Sequence, residues 1–361
     1  MMKSFFLDER GAVEEVRLHN ALCALKQNQI ITCIMAWTFS SFFAWGNISC
    51  WGEPLSVKVV PLHVDVGARV VGPVGALVYR GGVELNSEDS RFGGWSGLLV
   101  GQKGRRMLAI SDKGWWLQGD LIYNQRGDLV GVQDTAILPM RSLEPSSNFT
   151  LDAEAVVQTG EGGLIVAYER QHRLWLYRDV WSSPKPISMG KALSDLPLNS
   201  GIEALVLMAP GELLAITETG TAESNFTAFY KTQSSISRVQ YPYDSYFRPS
   251  DAVRLAPNSL LVLERGYNRE VGVGARLVLV QLRVPNGNFE ITGDVVVDFG
   301  WPIPLDNFEG LANASGSTNP AIVYLLSDDN YSRDQKTLLM MFELEISRRI
   351  PHLKNTNLQR P

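Results

Sequence analysis

Carboxylates recur in this chain at matched places around short apolar runs: Glu154 with Glu169, Glu203 with Glu218, Asp251 with Glu264, and Glu309 with Asp328 and Asp329. An earlier copy carries Ser96 in the first place and Asp112 in the second. Acids gathered at one site repel one another and hold their protons, unless cations neutralise them. Two sources of positive charge are present. Three terminal acids are followed directly by a base, in Asp112-Lys113, Glu169-Arg170 and Glu264-Arg265. Adjacent residues of a regular strand point to opposite faces, so both members of a doublet cannot face the same point. The bases either bridge to carboxylates of neighbouring units or leave the acids to a divalent cation. An all-oxygen set of Asp112, Glu169, Glu218, Asp251, Glu264, Asp328 and Asp329, with Asn330 in reach, suits Ca²⁺ better than zinc. After position 50 the only histidines are His63, His172 and His352, too few for the usual zinc site.

The acids belong to a repeat. Five stretches match: "GGWSGLLVGQKGRRMLAISDKG" from Gly93, "LDAEAVVQTGEGGLIVAYERQ" from Leu151, "SGIEALVLMAPGELLAITETG" from Ser200, "RPSDAVRLAPNSLLVLERGY" from Arg248, and "DNFEGLANASGSTNPAIVYLLSDDN" from Asp306. Their anchors, Ser96, Glu154, Glu203, Asp251 and Glu309, are spaced by 58, 49, 48 and 58 residues. Repeats of about 50 residues point to propeller blades. Runs such as "LIVAY", "SLLVL" and "AIVYLL" are short and continuously apolar, as strands buried on both faces are. Gly, Pro and Asn between paired runs mark hairpins. The fold expected is therefore an all-β propeller. Residues 57–86 supply strands without the repeat signature and would complete the circle together with the chain's end; six blades are expected, with five or seven as alternatives. A β-sandwich with similar hairpins is the competing architecture.

In a propeller the first strand of each blade lies nearest the axis and the second returns beside it, so the start of one and the end of the other share a rim. About ten carboxyl groups are then expected at one mouth of the central channel.

The whole chain has 361 residues, 45% hydrophobic and 20% charged, which provides a large soluble core. Acids and bases balance over residues 1–50, so the net charge of −5 lies in the rest, and a nucleic-acid partner is not expected. The three cysteines, Cys23, Cys33 and Cys50, all precede the repeats, so the body at 51–345 folds without disulfides. Within the extension 1–50, the apolar run 30–45, "IITCIMAWTFSSFFAW", reads as a signal-peptide core, with an uncleaved anchor as the alternative. The acidic stretch before it is unusual for a signal peptide; translation from Leu25 would place Lys26 directly before the run. Periplasmic or secreted location, no membrane span in the body and a monomer follow as expectations, with 346–361 as a flexible tail.

At these repeats the chain resembles the phytase-like family, the "esterase-like activity of phytase" domain. The resemblance rests on "GGWSGL" with "LAISDKG", "DAEAVV" with "IVAYER", "GIEALVL" with "LLAITE", "SDAVRLAPNSLLVLERG", and "NFEGLA" with "LLSDDNYSRDQKTLLMMFEL", covering about residues 90–345. It implies an exported propeller-like domain with recurrent acids and hydrolytic action on phosphate or other esters. Asp251, where a Glu is expected, and "WSGL", which has no acid, depart from the pattern.

The function expected is Ca²⁺-assisted hydrolysis of a small-molecule ester or phosphoester. Glu154, Glu203 and Glu309 are the catalytic acids, and Lys113, Arg170, Arg265 and Arg333 neutralise substrate oxygens. The alternative is a non-catalytic propeller that binds Ca²⁺ or another ligand, with Trp115-Trp116 or "YPYDSYF" (241–247) as stacking surfaces. A serine esterase is disfavoured, because Gly94-Trp95-Ser96-Gly97-Leu98 has leucine where a nucleophile elbow ends in glycine.

Overall fold

The computed structural model describes residues 52–101, 103–143, 151–221, 223–283, 289–314 and 321–346, all within the unit Trp51–Pro361. The apolar run 30–45 and the tail beyond Ile346 lie outside the described residues. Strands make up the regular structure, and no helix occurs among the described residues, so none is long and apolar enough to cross a membrane.

Among the described residues the strands group into five four-stranded antiparallel units. Unit 1 comprises Trp95–Gly101, Arg106–Ser111, Trp115–Tyr123 and Leu129–Pro139. Unit 2 is Ala153–Gln158, Leu164–Tyr168, Arg173–Tyr177 and Lys185–Ile187, and unit 3 is Ile202–Ala209, Glu212–Thr221, Asn225–Lys231 and Ile236–Tyr241. Unit 4 is Phe247–Ala256, Ser259–Asn268, Gly272–Arg283 and Glu290–Asp298. Unit 5 joins Phe308–Asn313, Ala321–Ser327 and Thr337–Ile346 to a strand from the other end of the sequence, Gly75–Asn86.

Five such units occur among the described residues, one of the alternatives allowed above beside the expected six. Residues 75–86 complete the circle with the chain's end, as expected, and close the fifth unit by pairing with Thr337–Ile346 along nearly their whole length. Lys58–Pro61 and Arg69–Val71 add to the outer edge of Gly75–Asn86. One parallel pairing, Gly81 with Leu129, links units 1 and 5.

The inner strands of the five units contact one another in sequence order, and the fifth meets the first, closing a ring. They line a cavity of about 250 Å³ on the axis, walled by Leu98, Val156, Leu205, Ala252 and Leu311 with their strand neighbours. The narrow ring explains the small residue that follows the anchor in units 1, 2, 3 and 5. A Cβ on Gly310 would lie 2.9 Å from the Leu98 Cβ of the next inner strand. Ala155 and Ala204 occupy the same place in units 2 and 3 and are fully buried. Between the units, apolar clusters such as Leu261, Leu277, Phe308, Leu325 and Phe342 fill the faces. At about 25 cal/mol per Å² of apolar surface removed from water, these faces are the main source of stability.

Candidate active site

Each inner strand carries a β-bulge near its start, and the bulge decides which side chain enters the mouth. In unit 1, Trp95 pairs with Ser111 and Gly97 with Ile110, which leaves Ser96 as the extra residue. The same shift isolates Glu154 in unit 2, Glu203 in unit 3 and Glu309 in unit 5. A bulge bends the strand and re-aims its extra residue, which is how these glutamates leave the sheet and face the axis. In unit 4, Pro249 pairs with Glu264 and Asp251 with Leu263, so the extra residue is Ser250.

That one-residue offset corrects two expectations. Asp251 is not a mouth residue. It is 3% exposed and accepts the backbone N–H groups of Ala252 (2.7 Å) and Leu311 (2.7 Å), which bolts the inner strand of unit 4 to that of unit 5. Glu264 likewise turns away from the mouth, accepting bonds from the Tyr241 hydroxyl (2.6 Å) and the Arg276 guanidinium (2.5 Å). Burial raises the carboxyl pKa of both, against these hydrogen bonds. Both residues hold units together, so neither is free to ligate a metal.

The residue after each paired position completes the mouth: Asp112, Glu169, Glu218 and Asp328 in units 1, 2, 3 and 5. In unit 4 the equivalent residue is Arg265. The backbone confirms the equivalence, because the N–H groups of Asp112, Glu169 and Asp328 donate to the carbonyls of Gly94, Asp152 and Asn307, each two residues before its bulge. Arg265 pairs with Arg248, two residues before Ser250. The mouth therefore holds seven carboxyl groups, two serines and one arginine.

Arg265 is the counter-ion of this ring. Its Nε lies 3.4 Å from Glu309 Oε1, and that nitrogen is buried without a hydrogen-bond acceptor. Glu309 first, then Glu203, Glu218 and Glu154, raise its pKa further. Burial pushes the Glu154 carboxyl well above its ordinary value, with Glu203 and Glu309 adding repulsion. Glu203 is also raised by burial, then by Glu218, while Arg265 opposes. Glu218 and Glu169 shift upward for the same first reason. Asp328, 5% exposed, is pushed up to about 8 by burial and by Glu309, although it accepts the N–H groups of Trp95 (3.1 Å) and Asn330 (2.8 Å).

Two overlapping sets can hold a cation: Asp152, Glu154 and Glu169, and Glu169, Glu203 and Glu218. In each set one ligand atom per residue lies within 4.8 Å of the others. Glu203 is only 6% exposed, and Arg265 is the positive group that opposes the rise of its pKa. The donor set is entirely oxygen, which fits a hard divalent ion such as Ca²⁺. Asp152, which the sequence pattern did not single out, enters because it lies two residues before the bulge.

The remaining residues named from sequence are placed as follows. Asp112 accepts from Tyr331 Oη (3.2 Å), and burial raises its pKa. Asp329 accepts from Thr337 Oγ1 (3.1 Å) and the Gly94 N–H (3.3 Å), so it fastens the loop after unit 5's second strand to unit 1. A Cβ at Gly94 would come within 2.1 Å of Asp112 Oδ1, and its φ of +65 also calls for glycine. Lys113 Nζ sits 2.9 Å from the centre of the Tyr331 ring. Arg170 pairs with Asp152 at 2.5 Å, and Arg333 is exposed on the loop beyond Tyr331. Of the four bases, Arg265 alone is placed among the mouth glutamates. Trp116 is buried edge-on to Tyr177, and Tyr241 is buried against Glu264, so neither is a stacking platform.

Several solved propeller structures are similar at low identity. A gluconolactonase from Xanthomonas campestris is 9% identical, covering 82% of this chain and 100% of that one, with a TM-score of 0.39. The RRP9 WD40 repeats are 11% identical, covering 81% and 99%, with a TM-score of 0.36. A virginiamycin B lyase from Staphylococcus aureus is 11% identical, covering 82% and 90%, with a TM-score of 0.35. No curated protein matches the chain significantly. The Phytase-like profile, described as "Esterase-like activity of phytase", matches residues 90–331, which contain all five bulges and the whole carboxylate mouth. By that match over most of its length, the chain belongs to the Phytase-like family.

Proposed function

We propose that this protein is an exported hydrolase that cleaves phosphoesters or other esters at the carboxylate mouth with the help of a divalent cation. The observation that carries this reading is the grouping of Glu203, 6% exposed, with Glu169 and Glu218, whose carboxyl oxygens lie within 4.8 Å of one another. Glu169, Glu203 and Glu218, with Asp152 and Glu154 beside them, would hold Ca²⁺. When bound, such an ion supplies Lewis acidity toward an ester oxygen. Arg265 contributes a fixed positive charge toward the oxygens of the scissile group. Asp328, pushed up to about 8, keeps its proton near neutral pH and so can donate it to a leaving oxygen, which is the task of a general acid. No nucleophilic side chain is required, since positioning and charge provide the catalysis. Export rests on the apolar run 30–45.

The test is release of nitrophenol from p-nitrophenyl phosphate and p-nitrophenyl butyrate by the mature protein, with Ca²⁺ and with chelator. Turnover that chelator abolishes, and that Glu203→Gln lowers at least 100-fold, is expected; equal, negligible rates in both conditions overturn the reading. Arg265 already neutralises part of the ring, which favours a second reading, a cation-binding propeller without turnover. Chelator-sensitive melting with no hydrolysis would establish that one instead.

A further inference from the structure

In unit 4 the second and third strands run on past the mouth as a hairpin, and their pairing from Arg265–Ala275 to Asn268–Gly272 has no register shift. Side chains therefore alternate strictly between its two faces. One face is covered. The Tyr246 ring lies so close against it that a Cβ on Gly266 or Gly274 would fall 2.4 or 2.7 Å from Tyr246 Cε1. Tyr246 Oη also donates to the Gly272 carbonyl (2.8 Å), and at the base of the hairpin Arg276 is held by both Glu264 and Asp244. The hairpin is thus braced from behind.

The opposite face carries Arg265 and, two residues on, Tyr267, which is paired across the ladder with Val273. Arg265 turns toward Glu309 of unit 5, so Tyr267 and Val273 stand on that same side, about 7 Å farther along the strand. Tyr267 is 69% exposed and Val273 37%. An aromatic and a branched side chain side by side make an apolar wall at the edge of the mouth, continuous with the face that supplies its arginine. Two side chains fall far short of the about 20–30 residues a side of a stable protein interface, so the wall suits a small molecule.

The geometry points to a substrate class, on the reading that the mouth binds esters: those with an aromatic ring attached directly to the reacting group, as in aryl esters. The ester oxygens face Arg265 and the ring lies against Tyr267, in the offset or edge-on arrangements that aromatic pairs prefer. Tyr267 is then a specificity-determining residue, and esters with short open chains leave the wall uncovered.

Calorimetric titration with phenylphosphonate and methylphosphonate, at one fixed Ca²⁺ concentration, tests this by binding alone. Phenylphosphonate is expected to bind the more tightly, by about tenfold, once apolar burial is added to stacking. Tyr267→Ala should weaken phenylphosphonate about fivefold and methylphosphonate less than about twofold, while Tyr267→Phe, which keeps the ring, holds both affinities within about twofold. The proposal is overturned if the unaltered protein shows no preference for the ring, if Tyr267→Ala leaves phenylphosphonate unchanged or weakens both probes alike, or if neither probe binds. An equal loss of phenylphosphonate in Trp301→Ala, a change at a residue 96% exposed on the loop after unit 4, would overturn it too, by showing general apolar adhesion. Methylphosphonate binding without a ring preference leaves the ester-binding mouth standing and removes this inference. Ring-dependent binding by a protein that turns over neither nitrophenyl ester sinks the hydrolase reading alone.

Discussion

Replacing Arg265 by methionine removes the cation among Glu154, Glu203, Glu218 and Glu309 while keeping much of the side-chain volume. Its Nε lies 3.4 Å from Glu309 Oε1. With an effective dielectric constant of about 20, that single pair contributes about 5 kcal/mol of Coulomb energy, from 332/(εr). Stripping one partner from a buried pair costs about 3 to 5 kcal/mol in practice. The expected loss for Arg265→Met is therefore about 3 to 5 kcal/mol at pH 8 in chelator. At pH 5.5 the mouth acids take up protons in place of the lost cation, so the loss should shrink to about half. Urea unfolding at both pH values measures it, and the second change Glu309→Gln should restore at least 1 kcal/mol at pH 8, because it removes the nearest stranded charge. A loss below about 1 kcal/mol that does not vary with pH would refute the placement of Arg265 as the ring's counter-ion.

Two further outcomes separate structural acids from mouth acids. Asp251→Ala leaves the N–H groups of Ala252 and Leu311 unpaired between units 4 and 5, and should cost about 2 to 4 kcal/mol in urea unfolding at any pH from 6 to 8; a neutral effect on stability would contradict its role as a bolt. Raised carboxyl pKa values in the folded state mean that the native protein binds more protons than the unfolded chain, so stability is full below about pH 4 and falls as pH rises through the folded value. For Asp328, moved from 3.8 to about 8, the ceiling on this fall is about 6 kcal/mol. Unfolding free energy in chelator should drop between pH 5 and pH 9, and a flat or rising profile would show that the mouth acids are not buried together.

The sequence carried the repeat, the strands and the pairing of acids at strand starts and ends, because each is a local pattern. Apolar runs with Gly or Pro between them can scarcely form anything but hairpins, and a spacing of about 50 residues limits the architecture to blades. Glu154, Glu169, Glu203, Glu218, Glu309 and Asp328 were found this way, and the structure gathers them at one mouth. The small residue after each anchor was also visible, although its reason, the close approach of neighbouring inner strands, was not.

Tertiary structure decided the rest. The number of units depends on Gly75–Asn86 pairing with Thr337–Ile346, a contact across most of the chain that no local pattern encodes. The identity of the fourth unit's mouth residues depends on where its bulge falls. "SDAV" aligns by eye on its acid, yet hydrogen-bond register makes Ser250 the extra residue and turns Asp251 into the wall. Side chains alternate with a period of two, so a slip of one residue exchanges every inward position for an outward one. That slip removes Asp251 and Glu264 from the site and puts Arg265, a cation, among its glutamates.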